Sequence, residues 1–280
     1  MTDDVKRQIR MSPEGTGPAG FYLPTADGGL DSTPATTSPW DDTLQHGGPP
    51  SALLARAIEA CQPRADMAVS RITIDFLGAI PQGRMTVTAQ VLRPGRRIEL
   101  LEAQLFAGSR CVAVARAWRG QIGPDAAPQV PAGSPRPHPL PGPQPQSFFT
   151  VVDPDWGYGR AIEWRFVSGG FNELGPVLVW ARPTMPLVAG EPVSGLQRAL
   201  ILADSANGLS AELSLTEWLF IPPALTVTVY REPQGEWLLL DARTRIDSRG
   251  SGMAHATLFD QQGEFGVATQ PLLVQRRSWP

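Results

Sequence analysis

Two polar residues lie in apolar segments of the sequence, where a polar side chain needs a partner or a chemical task. Asp204 lies in ALILADSANGL, which has the apolar spacing of a helix, and Gln270 lies beside Val267, Ala268 and Leu272. A carboxylate in such surroundings is costly unless it is hydrogen-bonded, and burial raises its pKa towards that of a base. A buried amide can orient a water molecule. We therefore predict a site at Asp204 and Gln270; the alternative is that both face solvent or backbone groups.

A glycine pair precedes the first helical segment. The residues His46, Gly47 and Gly48 are followed by Pro49-Pro50 and by the helical pattern SALLARAIEAC. A helix N-terminus presents unpaired amide groups and the positive end of its dipole, which together can stabilise an oxyanion. Because proline has no amide hydrogen, the donors would be Gly47, Gly48 or the residues after the prolines. We expect His46, Gly47 and Gly48 to bind substrate; alternatively, they only form a tight turn into the helix.

His46 also permits acid–base chemistry of its own. A histidine just before a helix, with a carboxylate nearby, can move protons in a dehydratase or a hydratase. Asp41 precedes His46 by five residues (46 − 41), and Glu59 follows it by thirteen (59 − 46) on the helix. A single histidine at such a position is more often a loop or capping residue.

The elements that must position these residues occur twice along the chain. In each half a helical pattern, at 51–61 and again at 193–209, is followed by four extended segments. The turns Pro81-Gln82-Gly83 and Pro233-Gln234-Gly235 lie 152 residues apart (235 − 83). The next two turn glycines are each offset by 155 (250 − 95 and 263 − 108). Three turns in register indicate an internal duplication.

The duplication makes Glu59 a candidate for a second site. Glu59 lies 145 residues before Asp204 (204 − 59), which is close to the offset of the repeat. The sequence therefore permits two sites, one or none, and we assign the site to the Asp204 side.

The repeated pattern predicts an α+β fold. One helix followed by a four-stranded antiparallel meander, made twice, is compact when each sheet curves around its helix and the two sheets pair edge to edge. Further strands near Phe21–Leu23, Ile162–Phe166 and Val177–Arg182 would complete the halves. We predict a tandem double hotdog, with two long helices each wrapped by a curved antiparallel sheet.

A proline-rich stretch separates the two halves. Residues 123–146 read GPDAAPQVPAGSPRPHPLPGPQPQ, and such proline density removes amide donors and favours an extended chain. We divide the chain into an N-terminal half at 1–122, a linker at 123–147 and a C-terminal half at 148–280.

Composition excludes several classes of function. The net charge of −3, without a basic stripe, does not favour nucleic acid or an anionic membrane as a partner. The segment 1–10 lacks the apolar stretch of a signal peptide, and the longest apolar runs are too short to span a bilayer. Two cysteines and three separated histidines make no disulfide framework or metal site. We expect a cytoplasmic protein without metal or cofactor.

Four short motifs resemble the bacterial acyl-CoA thioesterase II group of the thioesterase superfamily. The motifs are His46-Gly47-Gly48, Arg93-Pro94-Gly95, Leu202-Ala203-Asp204 and Ala268-Thr269-Gln270. The resemblance extends over roughly 20–121 and 162–273, and it depends on the order and spacing of the motifs. It implies that an acyl-CoA, or another acyl thioester, is hydrolysed without metal by a water held and activated at Asp204 and Gln270. It also implies a homo-oligomer.

The same resemblance implies a third catalytic group, a Thr or Ser that opens the strand after the second helix. In this sequence that position falls at Pro222 or Pro223, so the hydroxyl of the family is missing. Only a slip or a bulge in the strand would bring Thr226 or Thr228 into place, and we take Thr228 as the candidate. Two alternatives remain open: a hotdog dehydratase or hydratase that uses His46, and a non-catalytic acyl-thioester-binding protein.

Overall fold

The computed structural model describes residues 19–123, 127–128 and 137–277. Within these residues, thirteen strands form one sheet in which neighbouring strands run antiparallel, together with four α-helices and one 3-10 helix. In chain order the elements are β1 Tyr22–Pro24, β2 Leu30–Ser32, the 3-10 helix Pro34–Thr36, α1 Gly48–Ala60, β3 Met67–Phe76, β4 Arg84–Arg93, β5 Ile98–Ala107, β6 Arg110–Gln121, α2 Gly157–Arg160, β7 Ile162–Ser168, β8 Val177–Pro183, α3 Gly195–Ala203, α4 Ala206–Leu209, β9 Trp218–Ile221, β10 Ala224–Val229, β11 Leu238–Ile246, β12 Ser251–Asp260 and β13 Gly263–Arg276.

The two halves join through the pairing of β3 with β10. The order of strands is β1-β2-β4-β5-β6-β3-β10-β13-β12-β11-β8-β7, and β9 pairs separately with β13. The predicted edge-to-edge pairing is therefore confirmed. Thr73 lies opposite Thr226 at the centre of the β3–β10 ladder, so a residue near the junction corresponds to the residue 153 positions later (226 − 73). This local twofold relation agrees with the offset of the sequence repeat.

The helix α1 lies at the centre of the molecule. It begins with Pro49 and Pro50, which fix φ and need no hydrogen bond in the first turn. Leu53, Leu54 and Ile58 are fully buried between the strands of the first half and α3. A Cβ atom on Gly48 would collide with the carbonyl oxygen of Ile201, so only glycine permits this approach of α1 to α3.

The prediction of two long helices is wrong for the second helix. Whereas α1 has 13 residues, α3 has nine and is separated by Asp204 and Ser205 from the four-residue α4. Both intervening residues keep right-handed helical angles, but the Ser205 amide donates to the Leu202 carbonyl, as in a tighter 3-10 turn. The Asp204 carbonyl accepts instead from Gln270 Nε2 at 3.3 Å. A tertiary contact thus stabilises the interruption.

The described end of the proline-rich segment lies along the outer strand β7. Gln144 donates to the Phe166 carbonyl and accepts from the Phe166 amide, at 2.9 and 2.8 Å. Gln146 makes the same pair of bonds to Trp164, at 3.0 and 2.9 Å. The parts of the predicted linker at 124–126 and 129–136 lie outside the described residues. In the described part of the chain, no helix is both long enough and apolar enough to cross a membrane.

Candidate active site

The carboxylate of Asp204 faces the N-terminus of α1. Asp204 is only 6% exposed, and its Oδ1 accepts a hydrogen bond from Gln270 Nε2 at 3.0 Å. The amides of Gly47 and Gly48 face the carboxylate and stabilise its charged form. Its Oδ2 lies 3.2 Å from Nδ1 of His46. The structure thus brings together five residues that the sequence singled out, from two helix ends and from β13.

Burial controls the charge of this cluster. It raises the pKa of Asp204 to about 7, against the opposing effect of the Gly47 amide, Gln270 and the Gly48 amide. Burial lowers the pKa of His46 to about 3, so its imidazole is neutral at physiological pH. The Gly48 amide donates to Nδ1 at 3.2 Å, which assigns the imidazole proton to Nε2. Near neutral pH Asp204 is populated in both protonation states, as a general base requires.

Gln270 holds Asp204 in place. It is 1% exposed, and its Nε2 donates both to the carboxylate and to the carbonyl of Asp204. Its Oε1 accepts from the Asn207 amide at 3.3 Å. Because both amide hydrogens are directed at Asp204, the contacts of Gln270 fix the position of the carboxylate and of the turn that follows α3.

An aromatic stack fixes His46. Its ring lies parallel to that of Tyr158, with centroids 3.8 Å apart and an interplanar angle of 7°. The Tyr158 hydroxyl bonds to the Ile201 carbonyl at 2.7 Å and to Ser205 Oγ at 2.8 Å. Tyr158 belongs to α2, a single turn that the sequence analysis missed. The cluster Trp156-Gly157-Tyr158-Gly159, directly after the proline-rich segment, is the only sequence signal for it.

Thr228 does not reach the site. The strand β10 pairs with both β3 and β13 without a register shift, so the slip or bulge that Thr228 would need does not occur. Leu225, Val227 and Val229 face the core, and the intervening threonines therefore face the other side of the sheet. Thr228 is exposed there, and the expectation that it belongs to the site is wrong.

A cavity of about 480 Å³ opens beside Asp204. Its wall is mainly aromatic and apolar and includes Trp40, Phe76, Phe149, Trp156, Phe171, Phe220, Pro222 and Pro223. The polar residues on the wall include His46, Asp204, Ser205 and Asn207. Such a pocket, apolar with a few converging polar groups, suits an acyl chain whose reactive end lies at Asp204.

Asn207 is a polar residue of this wall that the sequence analysis missed. Its Oδ1 accepts from the Gly208 amide at 2.8 Å, whereas its Nδ2 makes no hydrogen bond to any residue that the structure describes. The hydroxyl of Ser205, in contrast, is already bonded to Tyr158. The sequence signal was the Asn-Gly pair directly after an apolar helix, which is typical of a helix end.

The two carboxylates considered as partners of His46 lie elsewhere. Asp41 is exposed and accepts from the hydroxyl and the amide of Thr43, at 2.6 and 2.8 Å. Glu59 lies at the opposite end of α1, about 20 Å along a helix of this length. The carboxylate beside His46 is that of Asp204. This arrangement does not support a dehydratase or hydratase that pairs His46 with Asp41 or Glu59.

Solved structures show the same fold. A hot dog fold protein from Alicyclobacillus acidocaldarius is 15% identical, with a TM-score of 0.67 over 90% of this chain and 93% of that one. A tesB protein from Mycobacterium avium subspecies paratuberculosis is 16% identical, with a TM-score of 0.63 over 88% and 92%. Acyl-CoA thioesterase II TesB2 from Mycobacterium marinum is 16% identical, with a TM-score of 0.60 over 88% and 97%. These similarities establish a hotdog fold.

Family-level similarity extends along both halves of the chain. Among curated proteins, no match was found. The family model of an acyl-CoA thioesterase N-terminal domain matches residues 36–120, and that of the C-terminal domain matches residues 124–274. The two matches follow one another in the order of the family and contain His46-Gly47-Gly48 and Asp204 with Gln270, respectively. The chain therefore belongs to the acyl-CoA thioesterase family.

Proposed function

We propose that this protein is an acyl-CoA thioesterase in which Asp204 activates the hydrolytic water. The observation that carries the proposal is a buried carboxylate, with a pKa raised to about 7, on the wall of an apolar cavity. Gln270 fixes that carboxylate, and neutral His46 lies beside it at the start of α1. The membership of the family supports hydrolysis of a thioester in general.

In the proposed reaction Asp204 acts as a general base. Its ionised carboxylate takes a proton from water while the water oxygen attacks the thioester carbonyl carbon. The carbonyl electrons move onto oxygen, and their return breaks the carbon–sulfur bond. The thiolate takes the proton from the Asp204 carboxyl, which regenerates the base. The products are a carboxylic acid and free thiol.

Asn207 is the donor that we assign to the carbonyl oxygen. Asn207 lines the cavity about one turn of chain beyond Asp204, and its Nδ2 has no acceptor among the described residues. Pro222 and Pro223 line the cavity. Because the family resemblance implies a hydroxyl residue at this point of the sequence, the proposal includes the loss of that group. A donor placed at the developing oxyanion is worth about 10²–10³ in rate.

The proposal includes the organisation of the chain. We propose a tandem double hotdog, with halves at 1–122 and 148–280 and a linker at 123–147, because each half repeats one helix against antiparallel strands. We further propose a cytoplasmic homo-oligomer that acts in lipid metabolism.

The test is release of thiol from a panel of acyl-CoAs, short to long and aromatic, by wild type and by Asp204→Asn. We expect at least one substrate to be hydrolysed and the variant to be about 10²–10⁴-fold slower. Asp41→Asn, at an exposed carboxylate outside the cavity, should keep the wild-type rate. Equal rates in wild type and Asp204→Asn would exclude Asp204 as the base. Binding of the panel without any release of thiol would leave the non-catalytic alternative.

A further inference from the structure

A second cavity, of about 870 Å³, lies at the other end of the β3–β10 junction. Its wall is built from positions that correspond to the wall of the first cavity. Residues 67–70 of the second cavity correspond to residues 220–223 of the first, with an offset of 153 (220 − 67). Residues 231–233 of the second cavity correspond to residues 78–80 of the first, with the same offset (231 − 78). The offset equals that of the central Thr73–Thr226 pair, so the two cavities are related by the local twofold axis of the sheet.

The second cavity also has a carboxylate that faces the N-terminus of a helix. Glu59, near the end of α1, lies beside the start of α3. Ser194 Oγ donates to its Oε1 at 2.8 Å, and Gln197 Nε2 donates to its Oε2 at 2.7 Å. Burial raises the pKa of Glu59, as it does that of Asp204, and the charge of Glu232 raises it further. In both cavities a glutamine amide therefore holds a carboxylate opposite the other helix, buried at Asp204 and partly buried at Glu59.

The groups that the proposed hydrolysis requires are absent from the corresponding positions. Neither a histidine nor an asparagine is among the described residues that line the second cavity. On β6 the counterpart of Gln270 is Ala117 (270 − 153). The second cavity thus keeps a carboxyl group held by Ser194 and Gln197, whereas its described wall has no counterpart of His46 or Asn207 and has alanine in place of Gln270.

We propose that the second cavity binds an acyl thioester and does not hydrolyse it. The acyl chain lies against Ile58, Leu196 and Val229, and the thioester end lies beside Glu59 and the start of α3. The class of ligand rests on the proposed function, because the two cavities share one architecture. A molecule of the substrate class bound in the second cavity would let the protein respond to substrate concentration at a site that does not hydrolyse it.

The test is the stoichiometry of binding of S-octyl-CoA, a thioether that cannot be hydrolysed, measured by isothermal titration calorimetry. Wild type should bind two equivalents per chain. Ala68→Trp, which fills the second cavity, should bind one equivalent and keep the wild-type rate of thiol release. Ile221→Trp, the matched variant in the first cavity (221 − 68 = 153), should also bind one equivalent but lose at least tenfold in that rate.

Two results would overturn the inference: one equivalent bound by wild type, or two equivalents still bound by Ala68→Trp. Thiol release from the same samples separates this outcome from the fate of the proposed function. Two equivalents in wild type and one in Ala68→Trp, without hydrolysis of any acyl-CoA, would support the second cavity and refute the thioesterase. Hydrolysis that depends on Asp204, with only one equivalent bound by wild type, would support the thioesterase and refute binding in the second cavity.

Discussion

Asp204 combines burial with several hydrogen-bond donors, and the balance between them sets its proton affinity. The carboxylate accepts from Gln270, and the amides at the start of α1 face it, yet its pKa is raised to about 7 because burial outweighs these donors. Nδ1 of neutral His46 lies 3.2 Å from Oδ2, a contact that is favourable only when a proton lies between the two atoms. Both effects favour the protonated carboxyl, so the base form is reached only near neutral pH.

This proton affinity predicts the dependence of activity on pH. Because the base must be ionised, kcat/KM should rise about tenfold per pH unit below pH 7 and reach a plateau above it. His46, with a pKa lowered to about 3, should add no transition between pH 5 and 9. The measurement is a kcat/KM profile for wild type, with Asp204→Asn as the control that should lack the rise. A profile that is flat through pH 7 in wild type would contradict a base of this pKa.

The same shift predicts how the stability of the fold depends on pH. The pKa of Asp204 is raised on folding, from its ordinary value of 3.8 to about 7, so its contribution to stability is fully present below pH 3.8 and is lost as pH rises through 7. The Tm of Asp204→Asn minus the Tm of wild type should therefore be larger at pH 8 than at pH 5. Thermal unfolding at both pH values measures this difference; a gain that is the same at both would show that Asp204 does not titrate in this window.

Asn207 is the residue whose role is easiest to separate from folding. Among the described residues its side chain contacts one partner, the Gly208 amide, and Asn207→Ala should lower kcat about 10²–10³-fold with little change in KM. Asn207→Asp keeps the size and the acceptor but removes the donor, and it should be at least as slow. An active Asn207→Asp would show that the oxyanion donor lies elsewhere.

Residue types alone predicted only part of this site. Asp204 and Gln270 were identifiable because a polar side chain within an apolar pattern needs a partner. Tyr158 was not, because it reaches His46 across the two halves and nothing near Tyr158 in the sequence implies that contact. Thr228 was predicted from the family resemblance, on the assumption of a slip or bulge in the strand, whereas the unbroken ladder of β10 assigns it to the outer face.

At the scale of elements, the contact between α1 and α3 determines where the site lies. Gly48 lets the start of α1 approach the last turn of α3, and the interruption at Asp204 turns the carboxylate into that contact. The sequence predicted both helices from their apolar spacing. It did not predict that the second would end after nine residues, because the bond from Gln270 that stabilises the interruption comes from a strand 66 residues later.

Gly48→Ala should therefore destabilise the fold as well as the site. The added Cβ would collide with backbone, the Ile201 carbonyl, and backbone cannot move aside as a flexible side chain can. We expect a loss of about 1–3 kcal/mol in the free energy of unfolding, measured by urea titration. Gly142→Ala is the matched control, since a Cβ there meets open space and should change the stability by less than about 0.5 kcal/mol. Equal effects of the two substitutions would contradict close helix contact.

At the scale of the whole molecule, two halves share one sheet and one helical core. The β3–β10 ladder joins the sheets, α1 packs on α3, and a bidentate ion pair between Arg56 of α1 and Glu191, which precedes α3, links the halves. The repeated turns predicted this joining from sequence, because three turns with nearly the same offset indicate two similar halves that can pair edge to edge. The short α2 and the 3-10 helix, which pack against each other, had no repeat to indicate them.

The described end of the proline-rich segment makes a prediction about self-association. Gln144 and Gln146 bond to the backbone of β7, the last strand of the sheet, in place of a further strand. Replacing both by alanine should expose this backbone and increase light scattering on concentration. Gln90→Ala with Gln275→Ala, at exposed positions on β4 and β13, is the control and should scatter as wild type. Equal scattering from both double variants would show that the glutamines do not protect the strand.

The alternation of proline in this segment has a consequence for the growth of the sheet. Pro137, Pro139, Pro141, Pro143 and Pro145 carry no amide hydrogen, so every second position of the segment lacks a donor for a strand beyond it. A segment of ordinary residues would pair with β7 and present a fresh template on its far side. This segment satisfies the backbone of β7 through glutamine side chains and presents few amide donors to any further strand. It acts as a chain terminator for β-polymerisation, and a third hotdog unit could not be added at this end without removing it.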